Sequence, residues 1–180
     1  MLHGARVTLR ARVASDVDIL TAELHDDVPA RSRAAGTPWR PLALGEPSPF
    51  GVHEPSADSA HFSVVERTTG ELLGAALLWG IDLHNRSAHI GISLRPQHCG
   101  KGFGTDALGV LCDYGFVTLG LHRLQLETLA DNLAMVGAAR AAGFSHEGTT
   151  CESAWVSGRF HDDVLYGLLA DVWRSKQASQ

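Results

Sequence analysis

The stretch "QHCGKGFGTDALGVLCDYGF", residues 97–116, carries three glycines within five positions and runs straight into an apolar helical pattern, just after the extended run "AHIGISL". Each glycine costs backbone entropy. Gly100, Gly102 and Gly104 therefore imply either an unusual dihedral or close approach of another group to the main chain. A turn of this kind between a strand and a helix N-terminus presents unpaired N–H groups and the positive end of a helix dipole, a ready site for a phosphate or pyrophosphate. The plain alternative is a helix entry that holds nothing.

Three phosphate-binding templates can be laid on this turn. The Walker pattern fails, because Arg95 stands where its first glycine would fall. The dinucleotide pattern GxGxxG/A fits Gly102, Gly104 and Ala107, with Glu127 about where a ribose-binding acid would stand. Its context is wrong, since the three preceding strands are linked too tightly to be parallel neighbours. The third pattern, Q/R-x-x-G-x-G/A, is met by Gln97, Gly100 and Gly102.

Outward from this core, "RVTLRARV" alternates and reads as a strand, and Ser15 and Asp16 read as the cap of a helix over "VDILTAEL". From Pro29 to Pro55 the texture changes: six of the seven prolines fall there, which predicts loops and short helical turns. "HFSVVER" and "LLGAALLWGI" form an antiparallel hairpin, and "SAHIGISLRP" is the third strand of that group. A helix over residues 103–117 presents Ala107, Leu108, Leu111 and Tyr114 on one side. After the strand "RLQLETL", a helix opens at Asp131/Asn132 and closes at Gly143. Two extended runs, "HEGTTCESAWV" and "HDDVLYGLLADVW", finish the chain. The order predicts a mixed α/β architecture of the α+β type, a single domain over residues 1–180.

Composition narrows the function. A net charge of -5 with no basic stripe argues against a nucleic-acid partner. No run approaches a membrane span, the N-terminus has no signal-peptide core, and three cysteines without metal spacing favour a cytoplasmic setting with no metal site.

The segments "VTLRARVASDVDIL", "AHIGISLRPQHCGKGFGTDA" and "LQLETLADNLAMVGAARAAGF" together resemble the GNAT superfamily of acyl-CoA N-acyltransferases, in particular the branch of ribosomal-protein N-terminal and spermidine acetyltransferases. The resemblance implies a mostly antiparallel central sheet of about six to seven strands, helices on both faces, and a split near the fourth and fifth strands. It implies acetyl-CoA, or another acyl-CoA such as succinyl-CoA, as cosubstrate, bound by a core over residues 86–142. The strand before the glycines would carry a bulge and pair with pantetheine through Ile92 and Leu94. Gln97, Gly100, Lys101, Gly102, Phe103, Gly104 and Thr105 would form the pyrophosphate cradle, and Asn132 would bond the pantetheine, unless it is simply a helix cap. The acceptor would be an amine, on a small molecule or a protein N-terminus, and a homodimer would be formed through the late strands.

Direct attack of an amine on the thioester calls for a general base. His89, where relatives commonly have glutamate, is the first candidate and Glu127 the second. A strand histidine without a role and an exposed strand-end carboxylate are the plain readings. The chain departs from the family on the helix after Asn132: Met135 stands at the serine position and Ala139 at the tyrosine position, so no acid comes from that helix. A CoA-binding protein without catalysis is the alternative this leaves open. Residues 29–58 match the variable acceptor wall, with Arg31, Arg33, Trp39, Arg40, Phe50 and His53 as its aromatic and cationic groups. Arginines there would suit a carboxylate-bearing acceptor. Trp155 reads as core, and Cys99 as a loop substitution in preference to a reactive thiol.

Overall fold

The alternating N-terminal run becomes β1 (Leu2–His3) and β2 (Val7–Arg10), the first two members of one eight-stranded sheet. The computed structural model describes residues 1–34, 38–54 and 56–178. β3 (Ser59–Glu66), β4 (Leu72–Asp82) and β5 (Ser87–Leu94) continue it as an antiparallel meander, as the tight links require. β6 (Arg123–Leu129) lies parallel to β5, and β8 (Arg159–Leu169) and β7 (Ser145–Val156) complete the order β1-β2-β3-β4-β5-β6-β8-β7. The count exceeds the expected six to seven because the two-residue β1 adds an edge. The parallel pairing of β5 with β6 runs only from Ser87↔Arg123 to His89↔Gln125. Beyond it the two strands part, and this is the expected split.

Five helices pack on the sheet among the described residues: α1 (Ala14–Leu20), α2 (Val28–Ala34), α3 (Phe103–Asp113), α4 (Leu133–Ala142) and α5 (Ala170–Gln177). The main core lies under α3, α4 and α5, where Leu108, Leu111, Ala139 and Trp173 meet Leu78, Ile90, Leu124 and Leu168. On the opposite face, Leu20 of α1 and Leu24 of the following turn cover Val65, Leu72 and Ala75. No helix of the described residues is long and apolar enough to cross a membrane.

Three sequence expectations need correction. Asp16 is not the cap of α1 but its third residue, where its carboxylate accepts from the Val13 N–H at 3.1 Å and is drawn inward by Arg10 and Ser63. The run "HDDVLYGLLADVW" stops being a strand at Leu169. Its last residues form α5, which buries Trp173 against Phe116 with ring centroids 5.4 Å apart. Trp155 is not core: it is 62% exposed, edge-on to Phe160 near the β7–β8 turn.

Candidate active site

Two features built by neighbouring elements meet at the split. The first is the free edge of β5. The Arg95 N–H donates to the Leu73 carbonyl at 2.9 Å, and Gly74 faces Leu94 across the ladder. In an antiparallel pair the bonding residues alternate, so Ser93 and Gly91 bond toward β4. Ile92 and Leu94 then turn their N–H and C=O groups the other way, where β6 has already diverged. The expected bulge is not at Ile92. Register slips on β4 instead, between Trp79 and Asp82, where Gly80 takes φ +59°.

The second feature is the glycine turn. Gly100 and Gly102 adopt φ +72° and +83°, the left-handed region that favours glycine, and Gly102 serves as N-cap of α3 with no side-chain cap. The first-turn N–H groups of Phe103, Gly104 and Thr105 have no preceding helical carbonyl to bond. A Cβ on Gly104 would meet only Leu94 Cδ1, at 3.6 Å, and one on Gly100 would meet nothing within 4 Å. The fold itself therefore does not require glycine at 104. The space is what an anion approaching the main chain would occupy.

The turn is braced from a distance. Arg6 donates to the Lys101 carbonyl and lies 4.4 Å over the Phe103 ring. The Asp106 carboxylate takes the N–H groups of Ala5, Arg6 and Val7 at 3.1, 2.7 and 2.8 Å. On the other flank Arg95 forms a two-pronged pair with Glu23 at 2.9 and 2.6 Å. Hydrogen bonds from Arg95 and then, against a smaller effect of burial, from Gln97 hold the Glu23 carboxyl below its usual range. Gln97 thus bonds a side chain, and Lys101 and Thr105 are exposed. Phe103 is 5% exposed and packs in the core, so only its backbone N–H faces the turn. Burial pushes the Cys99 thiol up, which argues against the reactive-thiolate reading.

Asn132 caps α4: its Oδ1 accepts from the Met135 N–H at 3.3 Å, and its Nδ2 donates to Thr128 Oγ1 at 2.9 Å. Ala139 is fully buried. The chain's two tyrosines offer no substitute there. Tyr166 accepts from Arg140 Nε at 3.2 Å, and Tyr114 packs edge-on against Phe62 beyond the far end of α3.

His89 points to the face opposite the main core. Its ring stacks on Trp79 with centroids 4.1 Å apart, and Gln125 Nε2 lies 2.6 Å from its Nε2. Burial pushes its pKa down; the Glu127 carboxylate opposes this and Arg123 adds to it. Glu127, two residues beyond Gln125 on β6, shares that face and is exposed. Of the arginines expected in the acceptor wall, Arg33 pairs with Asp131 at 2.6 Å and Arg40 with Glu46. No cluster of His, Cys, Asp or Glu able to hold a metal occurs among the described residues.

A strand with a free edge at a sheet split, feeding a glycine cradle at a helix N-terminus, defines a protein that holds an extended phosphate-bearing cosubstrate beside a reactive face. Residues 6–145 match the family described as "Acetyltransferase (GNAT) domain", and the chain belongs to that family. It is an enzyme of the N-acetyltransferase class, moving an acyl group from CoA to an amine. The uncharacterized N-acetyltransferase p20 of Bacillus licheniformis is 28% identical over 170 residues, 93% of this chain and 95% of that protein. The spermidine N(1)-acetyltransferase of Vibrio cholerae is 34% identical over 99 residues, 55% of this chain and 57% of that protein. The crystal structure of spermidine N-acetyltransferase from Vibrio cholerae in complex with CoA and spermine superposes with a TM-score of 0.81 at 26% identity, covering 93% of this chain and 98% of that one.

Proposed function

We propose that the chain transfers the acetyl group of acetyl-CoA to the primary amine of a small molecule at the β5–β6 split. The observation that carries this is the unpaired main chain: a β5 edge at Ile92 and Leu94 leading into the Gly100–Thr105 turn, where glycine at 104 serves nothing inside the fold. The turn N–H groups hold the pyrophosphate, with Gln97 and Lys101 beside them. Ile92 and Leu94 pair with the pantetheine arm, Asn132 adds its side chain, and the Ile92 N–H polarises the thioester carbonyl. His89 accepts the proton of the attacking amine, with Glu127 tuning it. The C–N bond forms, the C–S bond breaks, and the thiolate takes its proton from water, because Ala139 supplies none. Residues 86–142 are the CoA-binding core and 29–58 the acceptor side of a single domain over 1–180.

Thermal shift with acetyl-CoA, succinyl-CoA, CoA and NAD tests the cradle. Acetyl-CoA at 100 times its dissociation constant should add about 2.7 kcal/mol, and NAD nothing. Gly104→Ala should leave the unliganded melting point unchanged or higher, since glycine within a helix costs about 0.5–1 kcal/mol relative to alanine. The same variant should weaken CoA binding about tenfold or more, a change of ~1.4 kcal/mol. A variant that binds CoA as the wild type does would remove the cradle.

A cytoplasmic setting is supported by three free cysteines. A homodimer is supported by β7, a long edge strand that ends beside the exposed Trp155–Phe160 pair. Sedimentation should read a dimer, and Trp155→Ser with Phe160→Ser should shift it to monomer.

A further inference from the structure

Just past the end of β2 the chain buries a cation without a counter-ion. Arg12 is 8% exposed. Its Nη2 donates to the Phe62 carbonyl at 3.0 Å and its Nη1 to the Gly51 carbonyl at 3.4 Å. Its Cζ lies 5.9 Å above the Phe50 ring. Nε is buried and has no hydrogen-bond partner among the described residues. Asp16, the acid that acts on it through space, is already bonded to Arg10, Ser63 and the Val13 N–H. Carbonyl oxygens satisfy two of the nitrogens but do not neutralise the charge, and a buried, unpaired charge is strongly unfavourable.

The same guanidinium lines a cavity of about 310 Å³ together with His53, Glu54, His61, Phe62 and Tyr114. The His53 and His61 rings stack there with centroids 4.0 Å apart and planes 22° apart. Two further groups able to carry positive charge thus stand beside the unpaired arginine. Glu54 is exposed at the rim and makes no ion pair with Arg12 among the described residues. Burial, then His53 and then Arg12 push the His61 pKa down, with Asp58 opposing, which is the field a bound anion would relieve. A guanidinium presents its N–H groups in a planar fork that matches the two oxygens of a carboxylate.

Register places the His61 wall of this cavity on the acceptor side, while Phe62 and Tyr114 close it from the main-core side. His61 faces Leu77 on β4, and Leu77 faces Gly91 on β5. All three alternate onto the face that carries Trp79 and His89. Two strand spacings, about 9.6 Å, separate the His61 and Gly91 backbones. His89 stands two residues from Gly91 along β5, so the His61 and His89 backbones are about 12 Å apart, a span that the side chains at both ends and a substrate chain of several carbons would share.

We propose that Arg12, with His53 and His61, forms a carboxylate subsite of the acceptor pocket, so that the enzyme selects primary amines carrying a carboxylate several carbons away. This rests on the acetyl-transfer reading above. The direct test compares 4-aminobutyrate, 5-aminopentanoate and 6-aminohexanoate with propylamine, butylamine and pentylamine, the same chains without the carboxylate. At least one acid should exceed its amine by about tenfold in kcat/KM, expressed in KM. Arg12→Met should bring that ratio close to one. Should it fail to fold, His53→Asn, an exposed position, should still lower the ratio. Equal kcat/KM for acids and amines in the wild type would overturn the subsite.

A second measurement keeps the two proposals apart. Millimolar glutarate should shift the ring resonances of His53 and His61 in NMR spectra of the wild-type protein, whether or not any amine is acetylated. Absence of that shift would overturn the subsite even if acetyl transfer is observed. Acetyl-CoA binding without turnover, but with the glutarate shift, would overturn the transfer reading alone.

Discussion

Replacing His89 with glutamine is expected to lower kcat for acetyl transfer by roughly 10²–10⁴-fold, the usual contribution of a positioned general base, with the affinity for acetyl-CoA little changed. The ring is held on one side by Trp79 and on its edge by Gln125, so its position is fixed before substrate arrives. As the proposed base, His89 would work as the neutral imidazole. Burial sets its pKa below the ordinary 6.5, against the pull of Glu127 and with the help of Arg123. The limb of the pH–rate profile that belongs to His89 should therefore lie below pH 6.5, with activity rising as pH rises through it. Glu127→Gln removes the group that raises the pKa and should move that limb to lower pH. Retention of both the limb and near-wild-type kcat in the His89 variant would show that the proton goes elsewhere.

The glycine turn was legible because everything it needs is local. Three glycines, a strand before them and an apolar helix after them lie within some 25 residues, and positive φ at Gly100 and Gly102 is a demand that a single residue type advertises. The meander of β3, β4 and β5 was legible for the same reason, through short links and period-two patterning. The Gly143 C-cap, at φ +101°, was equally local.

What holds these parts in place was not legible. Asp106 reads in sequence as one polar residue on a helix, yet its carboxylate organises a turn at Gly4–Val7 about 100 positions away. Arg6 braces Lys101 and Phe103 from the same turn. The stacking of His89 on Trp79 depends on β4–β5 register, including the slip beyond Trp79 that no local pattern announces. Arg33 and Arg40 looked like acceptor contacts because their partners, Asp131 and Glu46, become neighbours only through the fold. Arg12 was passed over as one polar residue in an alternating run, and its burial follows from Phe50, Gly51 and Phe62 closing around it. Long-range charge pairing leaves no periodic trace. For that reason the turn between β5 and α3 could be read ahead of the residues that brace it.

The largest stability loss should come from Asp16, a residue outside both ends of the site. Its carboxylate takes two hydrogen bonds from Arg10 at 2.6 and 2.9 Å, one from Ser63 at 2.7 Å and one from the Val13 N–H at 3.1 Å, and the residue is 4% exposed. It joins the start of α1 to β2 and β3, and it acts on Arg12 only through space, with no ion pair between them. Asp16→Ala leaves the Arg10 guanidinium with only the Ala11 carbonyl, and the buried Ser63 hydroxyl and the Val13 N–H without this partner; breaking a fully buried pair costs about 3–5 kcal/mol, and with Arg10 a quarter exposed the loss should fall at the lower end. Glu46, paired with a largely exposed Arg40, should cost far less when replaced, because water competes for that pair. Burial pushes the Asp16 carboxyl up, but its four hydrogen bonds outweigh burial and hold the folded pKa below the usual value. A depressed folded pKa means that its stabilisation is complete above the unfolded value near 3.9 and is lost as pH falls through the folded one. Urea unfolding at pH 7 should therefore separate Asp16→Ala from the wild type by the full amount. The gap should narrow in acid, below about pH 4. A gap that stays constant down to pH 2 would mean that the loss comes from packing and not from the charge.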